Sequence, residues 1–316
     1  TNTPYGRDVL AMLAEACSRR GILLGLYYSL PDWHHPSYPN RGRHHEMFGP
    51  RAGDQPDEGA YLEYVRAQLQ ELLTGYGPIH EFFWDVNVAE FYDPSLNRMI
   101  RELQPQAVIN DRGPDRGDYS TPERFIPPGR EFSAPTEACQ SLGRESWGYR
   151  EDEDYYSLRS LTHSIDRTLA MGGNYLLNVG PMADGRFPDQ AVITLARVGE
   201  WYNHVREAFT RSLPATYLLD QDEEHLRRYD ELLVTRRDNT LYVHAPAGLA
   251  ADGMVLPGLD REPRSAVLLN DGRGLTWTVD TIPWRWTKKP CLRLRDLPVN
   301  EFESEALVVR LEYADS

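Results

Sequence analysis

The stretch YGRDVLAMLAEACSRRGILLGLYYSL, residues 5–30, decides the fold class. Its first part, residues 5–20, carries apolar side chains at a helical period, and Gly21 follows the basic last turn as a typical helix stop. Residues 21–30 are apolar nearly throughout, which is typical of a strand buried on both faces of a parallel sheet. The sequence therefore opens with a helix followed by a buried strand.

The same alternation continues to about residue 209. Strands that alternate with helices predict a parallel sheet with helices packed outside it. The length of the run favours a (β/α)₈ TIM-like barrel over an open sheet. The further helices are expected at 60–76, 93–103, 155–171 and 188–209, and the further strands at 80–86, 107–111, near 130–137 and at 174–181.

The number of strands falls short of a closed barrel. About five are visible, whereas a (β/α)₈ barrel has eight. Because the run opens with a helix that needs a preceding strand, we expect about three N-terminal βα units to be missing before Thr1. Without them the sheet would have an exposed edge, which natural folds avoid.

The pattern changes at about residue 213 to short alternating runs. The runs ELLVTRR and TLYVHAP flank the turn pair Asp238-Asn239, and four similar runs follow. They predict an antiparallel β-sandwich of about 100 residues. We therefore expect a partial catalytic barrel domain at 1–212 and a sandwich domain at 213–316.

The composition limits the classes of partner. The 316 residues include 48 acidic and 34 basic side chains, a formal charge of -14 that would repel nucleic acid and anionic membranes. A neutral partner such as a sugar is compatible with this charge. The sequence has no apolar run long enough to span a bilayer, and its three cysteines are too far apart to indicate a disulfide framework.

Asp85 is the leading catalytic candidate. In barrel enzymes the working residues lie at the C-terminal ends of strands, and Asp85 closes its strand directly after Phe83 and Trp84. The alternative is a helix cap or a salt-bridge partner. Aromatic rings that stack on sugars and polar groups that bind hydroxyls stand at other strand ends, although each alone is more often structural: Tyr27, Tyr28, Asp111, Arg112, Trp147, Asn174 and Asn178.

Glycoside hydrolysis with retention needs a second carboxyl group at roughly 5–5.5 Å from the first. Glu123 in GDYSTPE and Glu137 in APTEAC are both candidates, and the residues alone do not decide between them. The pairs His34-His35 and His44-His45 lack metal-ligand spacing. The sequence also lacks a glycine-rich phosphate loop and a G-x-S-x-G elbow. We therefore expect neither a metal nor an organic cofactor.

The ordered motifs GLYYSLPDWHHPSY, FFWDV, VINDRG, GDYSTPE, SWGY and GGNYLLNVGPMADG resemble those of glycoside hydrolase family 29 α-L-fucosidases. The resemblance covers most of residues 1–210. It implies that Asp85 is the nucleophile and Glu123 the acid/base of a retaining exo-glycosidase. Such an enzyme removes terminal α-L-fucose through a covalent fucosyl-aspartate intermediate, and its partner is a fucosylated oligosaccharide or glycoconjugate.

The resemblance also implies the sugar contacts. They fall on Tyr27, Phe83, Arg112 and Trp147, with Phe83 in place of the family's usual tryptophan. Glu137 matches a further family glutamate, although Thr136 replaces the tryptophan that precedes it. The DWHHP and GDYSTPE forms resemble the branch that acts on α-1,3/1,4-linked fucose. An extracellular or periplasmic location is expected from the same resemblance.

Two family motifs, H-W-G and K-H-H-D, do not occur in this sequence. In the family their histidines bind fucose hydroxyls. Two alternatives therefore stand beside the fucosidase hypothesis. One is a catalytically incomplete sugar-binding fragment of such an enzyme, and the other is a barrel glycosidase that acts on another sugar.

Overall fold

The computed structural model describes residues 3–46, 49–220, 232–281 and 289–314. The chain divides into two compact units, Thr1–Thr121 and Pro122–Ser316. Each unit has its own buried core.

The first unit alternates helices with parallel strands, as the sequence predicts. Its sheet has the order β1-β2-β3. In its register Leu26 lies beside Phe82 and Tyr27 beside Phe83. The elements are α1 (Val9–Arg20), β1 (Leu24–Ser29), α2 (Glu58–Gly75), β2 (Ile79–Asp85), α3 (Pro94–Leu103) and β3 (Val108–Ile109).

Local capping explains where these helices begin and end. A side-chain oxygen of Asp8 accepts a hydrogen bond from the N–H of Ala11 and so caps α1. At the other end Gly21 takes a left-handed φ of 65°, which confirms the predicted stop. Helix α3 has Asp93 as its N-cap and Pro94 in its first turn, where the missing N–H does no harm.

The core of the first unit lies on one face of its sheet. Phe82 and Trp84 of β2 are fully buried there with Leu24 and Leu26 of β1. The expectation that β1 is buried on both faces is wrong, because Gly25, Tyr27 and Ser29 are exposed. Side chains alternate along a strand, so packing against one face leaves every second residue uncovered.

The second unit begins with another parallel pair. Strands β4 (Glu137–Ser141) and β5 (Asn174–Asn178) pair in parallel, and α4 (Leu158–Ala170) and α5 (Asp189–Val205) accompany them. A 3₁₀ turn, Arg206–Ala208, follows. The strand expected near 130–137 is misplaced, since it begins where the prediction ends. Pro135 cannot donate to a ladder, whereas residues 138–142 form a buried run that can pair.

Two antiparallel sheets follow and share one apolar core, as the sandwich prediction requires. Their strand orders are β10-β13-β8-β7-β6 and β11-β12-β9. The predicted hairpin at Asp238-Asn239 joins β7 to β8, although Glu231 of ELLVTRR lies outside the described residues. The strands are β6 (Leu213–Pro214), β7 (Leu233–Arg237), β8 (Thr240–Ala245), β9 (Met254–Leu256), β10 (Ser265–Leu268), β11 (Thr276–Thr281), β12 (Pro290–Arg295) and β13 (Leu307–Glu312), with a second 3₁₀ turn at Thr216–Leu218.

Within the second unit, α4 and α5 pack on the sandwich. Asp166 of α4 pairs with Nδ1 of the buried His244 at 2.8 Å, and Trp201 Nε1 donates to the carbonyl of Ala306 at 3.0 Å. The closed eight-stranded barrel and the domain boundary at 212/213 stay predictions. None of the described helices is long and apolar enough to cross a membrane.

Candidate active site

Asp85 is the last residue of β2 and lies beside Ser29, the last residue of β1. The alternation of β2 buries Phe82 and Trp84 and turns Phe83 and Asp85 to the other face. The side chain of Asp85 keeps 17% of its surface exposed. A reacting molecule could therefore reach the carboxylate.

Two donors hold the Asp85 carboxylate. Nη1 of Arg112 donates to Oδ1 at 2.9 Å, and the hydroxyl of Tyr27 donates to Oδ2. Partial burial, together with the bond to Asp85, raises the pKa of Tyr27 to about 12. The hydroxyl therefore remains a donor at neutral pH, and both carboxylate oxygens are fixed in orientation.

Aromatic stacking completes this arrangement. The rings of Tyr27 and Phe83 are stacked, with centroids 5.6 Å apart and planes at 12°. The guanidinium carbon of Arg112 lies 5.3 Å from the centroid of Phe83. Tyr27 is 62% exposed, so part of it can meet a ligand. The structure thus brings together four predicted residues, Tyr27, Phe83, Asp85 and Arg112, while their roles stay predictions.

The backbone around Asp85 is held by a residue that the sequence analysis missed. Asn110 is fully buried; its Oδ1 accepts from the N–H of Trp84 at 2.9 Å, and its Nδ2 donates to the carbonyl of Trp84 at 2.8 Å. The amide therefore pairs with β2 as a neighbouring strand would. Val86, the next residue after Asp85, has a φ of 55°, which is a strained conformation for a β-branched side chain.

The loop after β3 approaches β2 closely. A Cβ placed on Gly113 would lie 2.3 Å from Cδ1 of Trp84, so only glycine fits there. This approach fixes the backbone next to Arg112. In the sequence the signal for this approach is the glycine that follows Asp111 and Arg112 in VINDRG.

Glu123 lies in the second unit, in an isolated parallel bridge with Cys139. Cys139 holds this segment on both sides, because its N–H donates to the carbonyl of Pro122 at 2.8 Å and its carbonyl accepts from the N–H of Arg124 at 3.0 Å. Glu123 is exposed, and Arg124 after it has a φ of 57°. Glu137 is half-buried at the start of β4, beside Asn174 of β5. The two candidate glutamates therefore lie on paired segments.

Trp147 belongs to the same unit and lies near the Glu123 segment. The guanidinium carbon of Arg124 is 4.3 Å from the centroid of its ring, and Trp147 is 37% exposed. The geometry is that of a cation–π pair. It connects Trp147 to the residue that follows Glu123, which sequence spacing alone did not indicate.

The histidine-rich loop has a structural explanation. The buried carboxylate of Glu46 accepts hydrogen bonds from the hydroxyl of Tyr38 at 2.8 Å and from Nε of Arg43 at 2.8 Å. Glu46 therefore organises residues 38–46. Across the described ranges, no group of three His, Cys, Asp or Glu side chains could hold a metal ion.

Comparison with known proteins identifies relatives of this chain. Residues 1–207 match the family model described as Alpha-L-fucosidase. Tissue alpha-L-fucosidase of Mus musculus is 25% identical over 320 residues, covering 90% of this chain and 66% of its own length. The chain spans about half the length of several further curated relatives.

Solved structures that resemble this chain are also alpha-L-fucosidases. Alpha-L-fucosidase isoenzyme 1 from Paenibacillus thiaminolyticus is 30% identical, with a TM-score of 0.77 over 100% of this chain and 77% of that one. A GH29 alpha-L-fucosidase from Bacteroides thetaiotaomicron, trapped as a covalent intermediate, shares the fold at 23% identity, with a TM-score of 0.67 over 98% of this chain and 72% of that one. On the family match and the Paenibacillus similarity together, this chain belongs to the alpha-L-fucosidase family.

Proposed function

We propose that this protein hydrolyses terminal α-L-fucose from fucosylated oligosaccharides with retention of the anomeric configuration. The observation that carries the proposal is the Asp85 carboxylate, fixed at the end of β2 by Tyr27 and Arg112. A carboxylate that is already oriented loses no further conformational freedom when it attacks, and this lowers the free-energy barrier. Membership of the alpha-L-fucosidase family supports fucose as the sugar.

In the proposed first step, an Asp85 oxygen attacks the anomeric carbon of fucose. The bond from that carbon to the leaving oxygen breaks, and the protonated Glu123 carboxyl gives its proton to that oxygen. In the second step Glu123 takes a proton from water, and the water oxygen attacks the same carbon and releases Asp85. The covalent intermediate trapped in the Bacteroides relative supports this route.

The proposed binding groups match the surface of a 6-deoxy sugar. The exposed Tyr27 and Trp147 and the half-buried Phe83 offer rings for its apolar C–H and methyl groups. Arg112 and Glu137 offer a donor and an acceptor for its hydroxyls. We therefore propose that the sugar is recognised both by stacking on aromatic rings and by directed hydrogen bonds to its hydroxyls.

We also propose that the α-1,3/1,4 linkages of branched oligosaccharides are the preferred ones, on the basis of the DWHHP and GDYSTPE motifs. The test compares kcat/KM on fucosylated trisaccharides with these linkages against an aryl α-fucoside and an α-1,2-linked disaccharide. A preference for the aryl fucoside would contradict the linkage proposal. It would leave the fucosidase proposal intact.

Azide rescue tests the two catalytic roles separately. In Asp85→Gly, azide can occupy the space of the nucleophile, and an aryl α-fucoside should give β-fucosyl azide. In Glu123→Ala, azide attacks the fucosyl-Asp85 intermediate and should give α-fucosyl azide. Glu71→Gln, on an exposed position of α2, is the control and should retain full activity.

The outcomes separate the hypotheses. Undiminished turnover by Asp85→Gly would refute its role as nucleophile, and the same azide anomer from both variants would refute the division of roles. Binding of fucose in calorimetry without hydrolysis of any fucoside would favour the sugar-binding alternative. Hydrolysis of a different aryl glycoside in a panel would favour another sugar.

A further inference from the structure

We infer that Thr121 is a positioning residue for the reaction, holding the Arg112 guanidinium in the orientation in which it meets Asp85. The inference rests on the proposed function, because it assigns a role in supporting the nucleophile. Thr121 itself is not expected to touch the sugar. Its hydroxyl and its carbonyl both bind Arg112, so its influence passes through that side chain.

Three nitrogens of the planar Arg112 guanidinium bind Asp85 and Thr121. Nη1 donates to Asp85 Oδ1 at 2.9 Å, Nε donates to Thr121 Oγ1 at 2.8 Å, and Nη2 donates to the Thr121 carbonyl at 3.0 Å. Because a guanidinium is rigid and planar, fixing Nε and Nη2 fixes the direction of Nη1. Thr121 therefore sets the angle at which the cation approaches the nucleophile.

The Thr121 hydroxyl is itself oriented. It donates to Oδ1 of Asp111 at 2.9 Å, and a hydroxyl has only one proton to give. Its lone pairs are consequently directed away from Asp111 and can accept from Arg112 Nε. Thr121 is only 8% exposed, so water competes little for these bonds. Asp111, Thr121 and Arg112 therefore form a chain of hydrogen bonds.

This chain of hydrogen bonds ends at the ion pair between Arg112 and Asp85, which is partly shielded from water. The side chains of Arg112 and Asp85 keep 19% and 17% of their surfaces exposed. A charge pair at this depth is stronger and more direction-dependent than a surface pair. A small rotation of the guanidinium would move Nη1 away from Oδ1 and change the position of the attacking carboxylate.

A buried threonine can also be a simple packing residue, and two substitutions distinguish these roles. Thr121→Val keeps the shape but removes the hydroxyl, whereas Thr121→Ser keeps the hydroxyl and loses a methyl group. If packing is the role, Thr121→Ser should be the more damaging change. If positioning is the role, Thr121→Val should be. Thr194→Val, which removes a buried hydroxyl bound to the Gln190 carbonyl of α5, is the matched control.

The kinetic experiment measures formation of the fucosyl-enzyme from an aryl α-fucoside under single-turnover conditions. We expect Thr121→Val to slow this step by about 10-fold to 100-fold with KM changed by no more than about twofold, because one charge-assisted hydrogen bond is lost. The rate of this step in Thr121→Ser should stay within about threefold of the wild-type rate. Thr194→Val should react at the wild-type rate. A wild-type rate in Thr121→Val would overturn the inference.

A second measurement follows Arg112 directly. In protein labelled with ¹⁵N-arginine, the Nε–H of Arg112, identified with Arg112→Lys, should exchange slowly with solvent in the wild type and in Thr121→Ser. It should exchange fast in Thr121→Val. Slow exchange in Thr121→Val would refute the positioning role even if the chain hydrolyses no fucoside. An active wild type with an unaffected Thr121→Val would refute the inference alone and leave the proposed function standing.

Discussion

The segments that carry Asp85 and Glu123 are built differently, although both proposed catalytic residues precede a non-glycine residue with positive φ, Val86 at 55° and Arg124 at 57°. Asp85 has both carboxylate oxygens bound by side chains, and its backbone is paired by a buried amide. Glu123 has an exposed side chain on a segment held by main-chain bonds.

The difference follows from the two proposed roles. A nucleophile acts from one position, so side-chain donors that restrict it assist the reaction. An acid/base gives a proton to one oxygen and later takes one from water, so it must meet two partners in succession. We therefore expect substitutions around Asp85 to change the orientation of its carboxylate. Substitutions around Glu123 should mainly change how tightly the sugar is bound.

The largest expected effect comes from exchanging each neighbouring arginine for methionine. Arg112→Met removes the cation on Asp85, and we expect kcat/KM to fall by about 10³-fold, mostly through kcat. Arg124→Met removes the cation from the Trp147 ring and should mainly raise KM, by about 10-fold or less. Steady-state kinetics on an aryl α-fucoside measures both. Equal losses of kcat in the two variants would show that the two arginines do not differ in their roles.

The next effect is on stability and tests how each backbone is held. Asn110→Ala leaves the buried N–H and carbonyl of Trp84 without their partner, and the free energy of unfolding should fall by about 2–4 kcal/mol. Cys139 holds the Glu123 segment through its main chain, so Cys139→Ala should lower it by no more than about 1 kcal/mol. Urea denaturation measures both. A greater loss of unfolding free energy in Cys139→Ala than in Asn110→Ala would contradict this account of how the two backbone segments are held.

A smaller effect is expected at the hydroxyl on Asp85. Tyr27→Phe keeps the stacked ring but removes one donor, so kcat should fall by about 10-fold. The pKa of Tyr27 is raised by burial and by Asp85 to about 12, above the 10.0 of a free tyrosine. Its contribution to stability is therefore present below about pH 10 and is lost as the pH rises through about 12.

Absorbance titration at about 295 nm gives the direct measurement of this shift. The difference between the wild type and Tyr27→Phe should show one tyrosine that ionises near pH 12. In Asp85→Asn its pKa should move toward 10, because the negative charge of the Asp85 carboxylate no longer disfavours the ionised tyrosine. Titration of Tyr27 near pH 10 in the wild type would contradict the hydrogen bond to Asp85.

Features encoded by local sequence were predictable. Gly21 ends its helix, Asp238-Asn239 forms its hairpin, and the alternation around Phe82 and Trp84 places Asp85 at a strand end. Each depends on a few neighbouring residues, through turn chemistry or side-chain period.

Features that depend on distant partners were not predictable. Asn110 acts on a strand 26 residues away, and Thr121 acts on an arginine across a loop, so no local pattern shows either role. The exposed face of β1 depends on what packs against the sheet rather than on its apolar run. The short run at β4 has no alternation to fix its ends, which explains its misplacement.

The smallest expected effect concerns the two left-handed residues. Val86→Gly relieves a conformation that disfavours a β-branched side chain, so the free energy of unfolding should rise by about 1 kcal/mol. Arg124→Gly relieves the same φ but loses the contact with Trp147, so it should give no net gain. Because glycine also loosens the backbone beside Asp85, Val86→Gly should lower kcat by about threefold while it stabilises the fold. A rise in both stability and kcat would show that the left-handed Val86 does not help to place Asp85.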